Sequence, residues 1–148
     1  MHFTLLSSAP DETYALGKRL GRLLRGDEVV LVSGELGAGK TVFIKGLAAA
    51  LGIPAEEVVS PSFVLMNLYS GRHDLYHYDL YRLGMMPEAL ENPLDEYIGS
   101  GVLAVEWAQY LDAGYFALPQ AVAVTLEEEG SDKRRITVSS RLSHVALS

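Results

Sequence analysis

Gly34-Glu35-Leu36-Gly37-Ala38-Gly39-Lys40-Thr41 follows the spacing G-x-x-x-x-G-K-[ST]. Before it runs Val29-Val30-Leu31-Val32, the β-branched and aliphatic kind of run that forms a strand buried on both faces. After it, Val42-Phe43-Ile44-Lys45-Gly46-Leu47-Ala48-Ala49-Ala50-Leu51 reads as a helix closing at Gly52. Glycines at these positions let backbone N–H groups turn inward around phosphate oxygens, and the helix N-terminus adds partial positive charge. In this reading Lys40 neutralises the outer phosphates and the Thr41 hydroxyl coordinates Mg²⁺. A Gly-rich strand-to-helix turn with no ligand is the plainer alternative. The complete pattern, set between a strand and a helix, favours a nucleoside triphosphate.

The chain's 148 residues suit one domain, residues 1–148, large enough to bury roughly two-thirds of its unfolded surface. Hydrophobic residues at 49% and charged residues at 21% are ordinary for a soluble protein. With no cysteine, a disulfide framework, a thiolate metal site and a cysteine nucleophile are excluded. No apolar run approaches the roughly 20 residues that span a membrane. The start, Met1-His2-Phe3-Thr4-Leu5-Leu6-Ser7, lacks the basic region and long apolar core of a signal peptide, so a cytoplasmic protein is expected. A net charge of −7 argues against an unaided grip on nucleic acid, which calls for a basic face. Lys133-Arg134-Arg135 follows closely on Glu127-Glu128-Glu129. Any RNA is then held by a partner.

Outward from the loop, residues 3–7 read as a first strand. Ser8-Ala9-Pro10-Asp11 reads as a helix start with a Ser cap, an early Pro and an acid three residues on. Ala15, Leu16, Leu20, Leu23 and Leu24 form that helix's apolar stripe, and Gly26-Asp27 ends it. On the other side, Phe63–Tyr69 and Leu75–Asp79 read as strands joined by a hairpin around Ser70-Gly71. A helical region starting at Pro87 breaks at Asn92-Pro93 and resumes from Leu94 to Ile98. Gly101–Glu106 is another buried strand, and Ala121–Leu126 with Arg135–Ser139 form a hairpin around Gly130-Ser131-Asp132. Crossover and hairpin connections together imply a three-layer α/β fold of the P-loop NTPase kind. Its central sheet would be mixed and largely parallel, with antiparallel hairpin strands.

A triphosphate site needs carboxylates at strand ends, near the metal and the attacking water. Two apolar runs end in an acid: Leu75-Tyr76-His77-Tyr78-Asp79 and Val102-Leu103-Ala104-Val105-Glu106. Either Asp79 or Glu106 holds Mg²⁺, directly or through water, while the other orients or activates the nucleophile. Ser62, in Ser60-Pro61-Ser62, is a candidate switch hydroxyl reaching the metal or γ-phosphate; a strand-entry turn is the alternative. His77 shares a strand face with Asp79 and reads as a packing or hydrogen-bonding histidine rather than a base. Tyr69, Tyr76, Tyr78 and Tyr81 read as core or rim. Arg82 is a charge clamp or a surface ion pair. Trp107 lines the nucleotide or partner surface, or fills the core. Guanine recognition calls for Asn-Lys-x-Asp, and Asn92-Pro93-Leu94-Asp95 lacks the lysine and follows no strand, which favours ATP.

Taken in order, the loop, Val59-Ser60-Pro61-Ser62-Phe63, His77-Tyr78-Asp79-Leu80-Tyr81-Arg82-Leu83 and Val105-Glu106-Trp107 resemble the bacterial TsaE (YjeE-type) family. That family is the ATPase component of the system that makes threonylcarbamoyl-adenosine in tRNA. The resemblance runs from about Thr13 to Trp107. It implies ATP bound at Gly37, Ala38, Gly39, Lys40, Thr41 and Val42, Mg²⁺ held by Thr41 and Glu106, and Thr13 near the nucleotide. Asp79 matches the acid of a His-x-Asp-Leu-Tyr-Arg motif needed for turnover or metal positioning. Where the family reads Ser-Pro-Thr, this chain has Ser62, keeping the hydroxyl and losing the methyl. The Lys133-Arg134 pair is a candidate for a basic residue touching the nucleotide. By resemblance the chain hydrolyses ATP while docked on two related partner proteins that grip the tRNA, and does not itself transfer the threonylcarbamoyl group. Hydrolysis is expected to be slow alone, because a switch loop on an isolated acidic subunit lacks its ordering partner.

Two other classes compete. A small P-loop kinase needs an arginine-bearing lid that excludes water, and the arginines after the loop are few: Arg72, Arg82, Arg134, Arg135 and Arg141. A non-catalytic module would use ATP binding only to gate docking.

Overall fold

The structure is a computed structural model that describes residues 1–35, 37–59, 66–81 and 94–147. Seven strands, β1 (His2–Ser7), β2 (Val29–Gly34), β3 (Met66–Tyr69), β4 (Leu75–Asp79), β5 (Val102–Glu106), β6 (Ala121–Glu128) and β7 (Arg134–Ser140), form one sheet in the order β1-β7-β6-β2-β5-β4-β3. Among the described residues two α-helices, α1 (Pro10–Leu23) and α2 (Lys40–Ala50), accompany it.

The sheet is mixed, as the connections require. The four central strands β6, β2, β5 and β4 pair in parallel. The outer pairings, β1–β7, β7–β6 and β4–β3, are antiparallel, and the short connections from β3 to β4 and from β6 to β7 can join only antiparallel neighbours. Parallel pairing therefore makes up half of the ladder and is concentrated around the loop.

Alternation along β2 sends Val30 and Val32 to one face, where they join Leu16, Leu20, Phe43, Ile44 and Leu47 of the two helices. Val29 and Leu31 point the other way, into a cluster with Tyr78, Leu103, Val105, Trp107 and Leu111. A strand buried on both faces cannot alternate with polar residues, which explains its uninterrupted apolar run. On this second face the connection after β5 is built of short 3₁₀ turns, Ala108–Tyr110 and Ala113–Ala117.

The two helices meet backbone to backbone. A Cβ built on Gly17 or Gly46 would lie 2.0 Å from the carbonyl oxygen of Phe43 or Tyr14 on the opposite helix. Gly21 is similarly blocked by the Leu47 carbonyl at 2.6 Å. The expected apolar stripe holds at Leu16, Leu20 and Leu24, which are buried in this core, and at Leu23, which packs against it. The buried face of α1 runs through Thr13, Leu16, Gly17, Leu20 and Gly21, and Ala15 is exposed on the far side. Glycines carry no hydrophobic signal, so a stripe read from large residues omits Gly17 and Gly21, and of its members Ala15 alone is exposed.

The start of α1 also differs from the Ser-cap reading. Ala9 occupies the cap position without a side-chain bond, and Pro10 is the first helical residue, where its missing N–H costs nothing. The Glu12 carboxylate reaches back to accept the Ser8 N–H. Helix α2 begins two residues earlier than the apolar run suggested, with Lys40 and Thr41 in its first turn. Ser62, Arg82 and the helical region expected from Pro87 to Pro93 lie outside the described residues.

Candidate functional site

The loop after β2 enters α2 through two glycines in the left-handed region, Gly37 (φ 81°) and Gly39 (φ 98°), a backbone that side chains with a Cβ rarely adopt. Gly34 comes so close to β6 that a Cβ there would stand 2.7 Å from the Leu126 carbonyl oxygen. Lys40 folds back over the loop. Its Nζ donates to the carbonyls of Gly34 at 2.8 Å and Glu35 at 2.7 Å, and sits 4.0 Å from the centre of the Trp107 ring. Burial pushes the Lys40 pKa down, while the charges of Glu106, Asp79 and Glu35 oppose that shift.

Two acids stand opposite. Asp79 and Glu106 are register partners at the C-terminal ends of β4 and β5, and Glu106 is beside Val32 of β2. Parallel strands thus deliver both carboxylates to the edge of the sheet from which the loop departs. Glu106 is only 2% exposed, and each of its oxygens has a partner. Oε1 accepts the Thr41 hydroxyl at 2.8 Å, and Oε2 lies 2.6 Å from Nε2 of the fully buried His77. Asp79 Oδ1 accepts the backbone N–H of Tyr81 at 2.9 Å.

A cleft beside the loop is lined by Ala9, Pro10, Thr13, Val42, Asp132 and Arg134, with Gly37, Ala38 and Gly39 as its floor. Thr13 is buried and its hydroxyl lies 2.7 Å from that of Ser7. Arg134, from the first residue of β7, donates through Nε to the Ala38 carbonyl at 3.2 Å and through Nη2 to Gly37 at 3.1 Å. It also pairs with Glu128 at 3.5 Å. Of the basic pair singled out in the sequence, Arg134 reaches the loop, whereas Lys133 is exposed in the turn before β7.

A family model described as Threonylcarbamoyl adenosine biosynthesis protein TsaE matches residues 7–136. The chain belongs to the TsaE family. It is 39% identical over 136 residues to the tRNA threonylcarbamoyladenosine biosynthesis protein TsaE of Treponema pallidum (strain Nichols), covering 90% of this chain and 98% of that one. Its likeness to the TsaE of Bacillus subtilis (strain 168) is 40% over 134 residues, covering 88% and 81% respectively. The crystal structure of Bacillus subtilis YdiB aligns with a TM-score of 0.72 at 34% sequence identity, covering 95% of this chain and 86% of that one.

In this TsaE-family chain the structure brings together Thr13, Gly37, Ala38, Gly39, Lys40, Thr41, Val42, Asp79 and Glu106 at one edge of the sheet. Sequence reasoning missed Gln109, whose Nε2 donates to the Gly34 carbonyl at 3.0 Å while its Oε1 accepts the Gly34 N–H at 3.4 Å. It follows β5 on a 3₁₀ turn and carries no periodic signal. Trp107 fills the core, one of the two readings the sequence allowed. It is 6% exposed and part of the apolar cluster, yet one ring face meets Lys40. Its backbone is left-handed (φ 60°), an unusual conformation for a bulky residue. Tyr81 and Tyr110 pack on it at ring-centre distances of 4.9 and 5.7 Å. Among the described residues no helix is long and apolar enough to cross a membrane.

Proposed function

We propose that this chain is a cytoplasmic Mg²⁺-dependent ATPase that supports threonylcarbamoyl-adenosine modification of tRNA while docked on the proteins that carry out the transfer. The observation carrying this reading is the Thr41–Glu106 contact at 2.8 Å. It places a hydroxyl and a carboxylate, both hard oxygen donors of the kind Mg²⁺ prefers, at the mouth of a glycine-shaped loop. Those donors fit the metal. Thr41 Oγ1 and Glu106 would hold it, and when bound it neutralises charge on the outer phosphates.

The protein's own groups do the rest. Gly37 to Val42 receive the phosphates, with the start of α2 directed at them. Lys40 exchanges the carbonyls of Gly34 and Glu35 for outer phosphate oxygens. Asp79, one strand from Glu106, orients the attacking water and accepts its proton. The oxygen–phosphorus bond to the incoming water forms as the bridge to the β-phosphate breaks. Thr13 and Arg134 flank the cleft in which the nucleoside portion lies.

The relatives' name, tRNA threonylcarbamoyladenosine biosynthesis protein, supports the place of this activity in tRNA modification. The net charge of −7 supports indirect contact with tRNA, since backbone binding demands cationic surface. The test is Mg²⁺-dependent phosphate release from ATP and GTP, for wild type and Lys40→Ala, with and without the tRNA-modifying partners. ATP-selective release that is weak alone and stimulated by partners is expected. Release indifferent to partners, a preference for GTP, or phosphoryl transfer to a metabolite would reject the proposal.

A further inference from the structure

We infer that His77 is a positioning residue that orients Glu106 toward the metal. This rests on the reading of Glu106 as a Mg²⁺ ligand. The Glu106 carboxylate can only accept, so the proton of the 2.6 Å contact belongs to His77 Nε2. That bond ties down Oε2 and turns Oε1 to the Thr41 hydroxyl. One oxygen is anchored within the protein and the other is presented at the site.

Register explains the reach. His77 pairs with Ala104 across β4 and β5, and Glu106 is two residues further on, on the same face. The methyl side chain of Ala104 leaves space for the imidazole to cross diagonally to the carboxylate.

Burial makes a purely packing role a poor explanation. His77 is fully buried, and its Nδ1 has no hydrogen-bond partner among the described residues. A buried polar atom left unpaired is costly, and an apolar side chain on this strand would avoid that cost. What an apolar side chain cannot supply is the donor to Oε2. Partners behind a metal ligand fix its orientation, and losing them typically weakens metal binding.

The test is a Mg²⁺ titration of protein saturated with a non-hydrolysable ATP analogue, followed by emission from Trp107, the single tryptophan. His77→Leu is expected to raise the half-saturating Mg²⁺ concentration about 10-fold and to leave analogue affinity in EDTA unchanged. His77→Gln places an amide nitrogen where Nε2 lies and is expected to restore most of the loss. His77→Leu should add nothing in a Glu106→Gln background. Wild-type Mg²⁺ dependence in His77→Leu overturns the inference. If that variant does not fold, His77→Asn, a shorter side chain that withdraws the donor, must show the rise, and wild-type behaviour there overturns it equally. Glu106→Gln separates the two levels. If it leaves Mg²⁺ dependence unchanged, the metal assignment itself falls, and this inference with it. If Glu106→Gln raises the requirement and His77→Leu does not, only the positioning role is lost.

Discussion

Asp79 and Glu106 end adjacent parallel strands as direct register partners, yet their surroundings differ. Glu106 is buried and bonded through both oxygens to His77 and Thr41, whereas Asp79 is half-buried and holds the turn at Tyr81. The difference divides their proposed labour. A fixed, enclosed carboxylate suits a metal ligand, and a more accessible one suits water.

Asp79→Asn should therefore retain ATP binding and Mg²⁺ dependence while phosphate release falls at least about 100-fold, the range of a lost proton acceptor. Glu106→Gln should instead shift the Mg²⁺ requirement before it changes nucleotide affinity in EDTA. Metal titrations of steady-state release on the two variants separate the roles. Equal shifts in Mg²⁺ requirement would refute the division.

The seam between the helices predicts a large cost for a small change. Gly17→Ala and Gly46→Ala each place a methyl 2.0 Å from a backbone oxygen that cannot swing aside. Each should lose about 3 kcal/mol as the helices are forced apart. Gly114→Ala, with nothing within 4 Å of its Cβ, should be neutral or slightly stabilising. Urea denaturation of the three variants reads the contrast directly.

Glu28 links acid stability to the C-terminal segment. It is fully buried, with its carboxylate accepting N–H groups from Arg25, Gly26 and Asp27 at 2.7, 2.9 and 3.2 Å. His144 Nε2 lies 2.7 Å from the same carboxylate. Burial raises its pKa, but the backbone N–H groups of Arg25 and Gly26, with His144, outweigh that and hold it below the ordinary 4.5. A lowered carboxylate pKa stabilises the fold above 4.5 and loses that contribution as pH falls through the folded value. Glu28→Gln should flatten the acid limb of a stability–pH curve. Glu28→Ala should cost about 3 kcal/mol near neutrality by leaving buried N–H groups unpaired. An unaltered acid limb in Glu28→Gln would contradict this.

Arg134 braces the loop from the β6–β7 hairpin through two carbonyls. Arg134→Ala should weaken ATP binding about 10-fold, the equivalent of one charge-assisted bond. Arg134→Lys should recover little, because a point charge cannot span Gly37 and Ala38 at once. Calorimetric titration with a non-hydrolysable analogue checks both.

How much of this could be read beforehand depended on whether the signal was local. The loop, its strand and its helix were legible because glycine spacing and a doubly buried strand leave a local pattern. Asp79 and Glu106 were visible as acids closing apolar runs, and parallel pairing brought them side by side. His77 could be placed on the face of Asp79, but its bond to Glu106 depends on the β4–β5 register, which no single segment encodes. The glycine seam was hidden for a different reason. A residue without a side chain leaves no trace in a hydrophobic stripe, although it sets how closely two helices approach. Gln109 acts on the loop from 75 positions away, where local pattern carries no information, and Arg134, visible only as one of a basic pair, reaches it from 97.

Lys40 gives the loop an ammonium of its own, bonded to Gly34 and Glu35 and lying against Trp107. Under the proposed function, nucleotide entry would then be an exchange reaction rather than a simple filling of space. The incoming ligand must offer that ammonium something better than two carbonyls and an aromatic face. Outer phosphate oxygens do so with full negative charge. A nucleoside monophosphate lacks them, and it would leave Lys40 where it began. The chain's discrimination for polyphosphates would thus be written into what the lysine must give up.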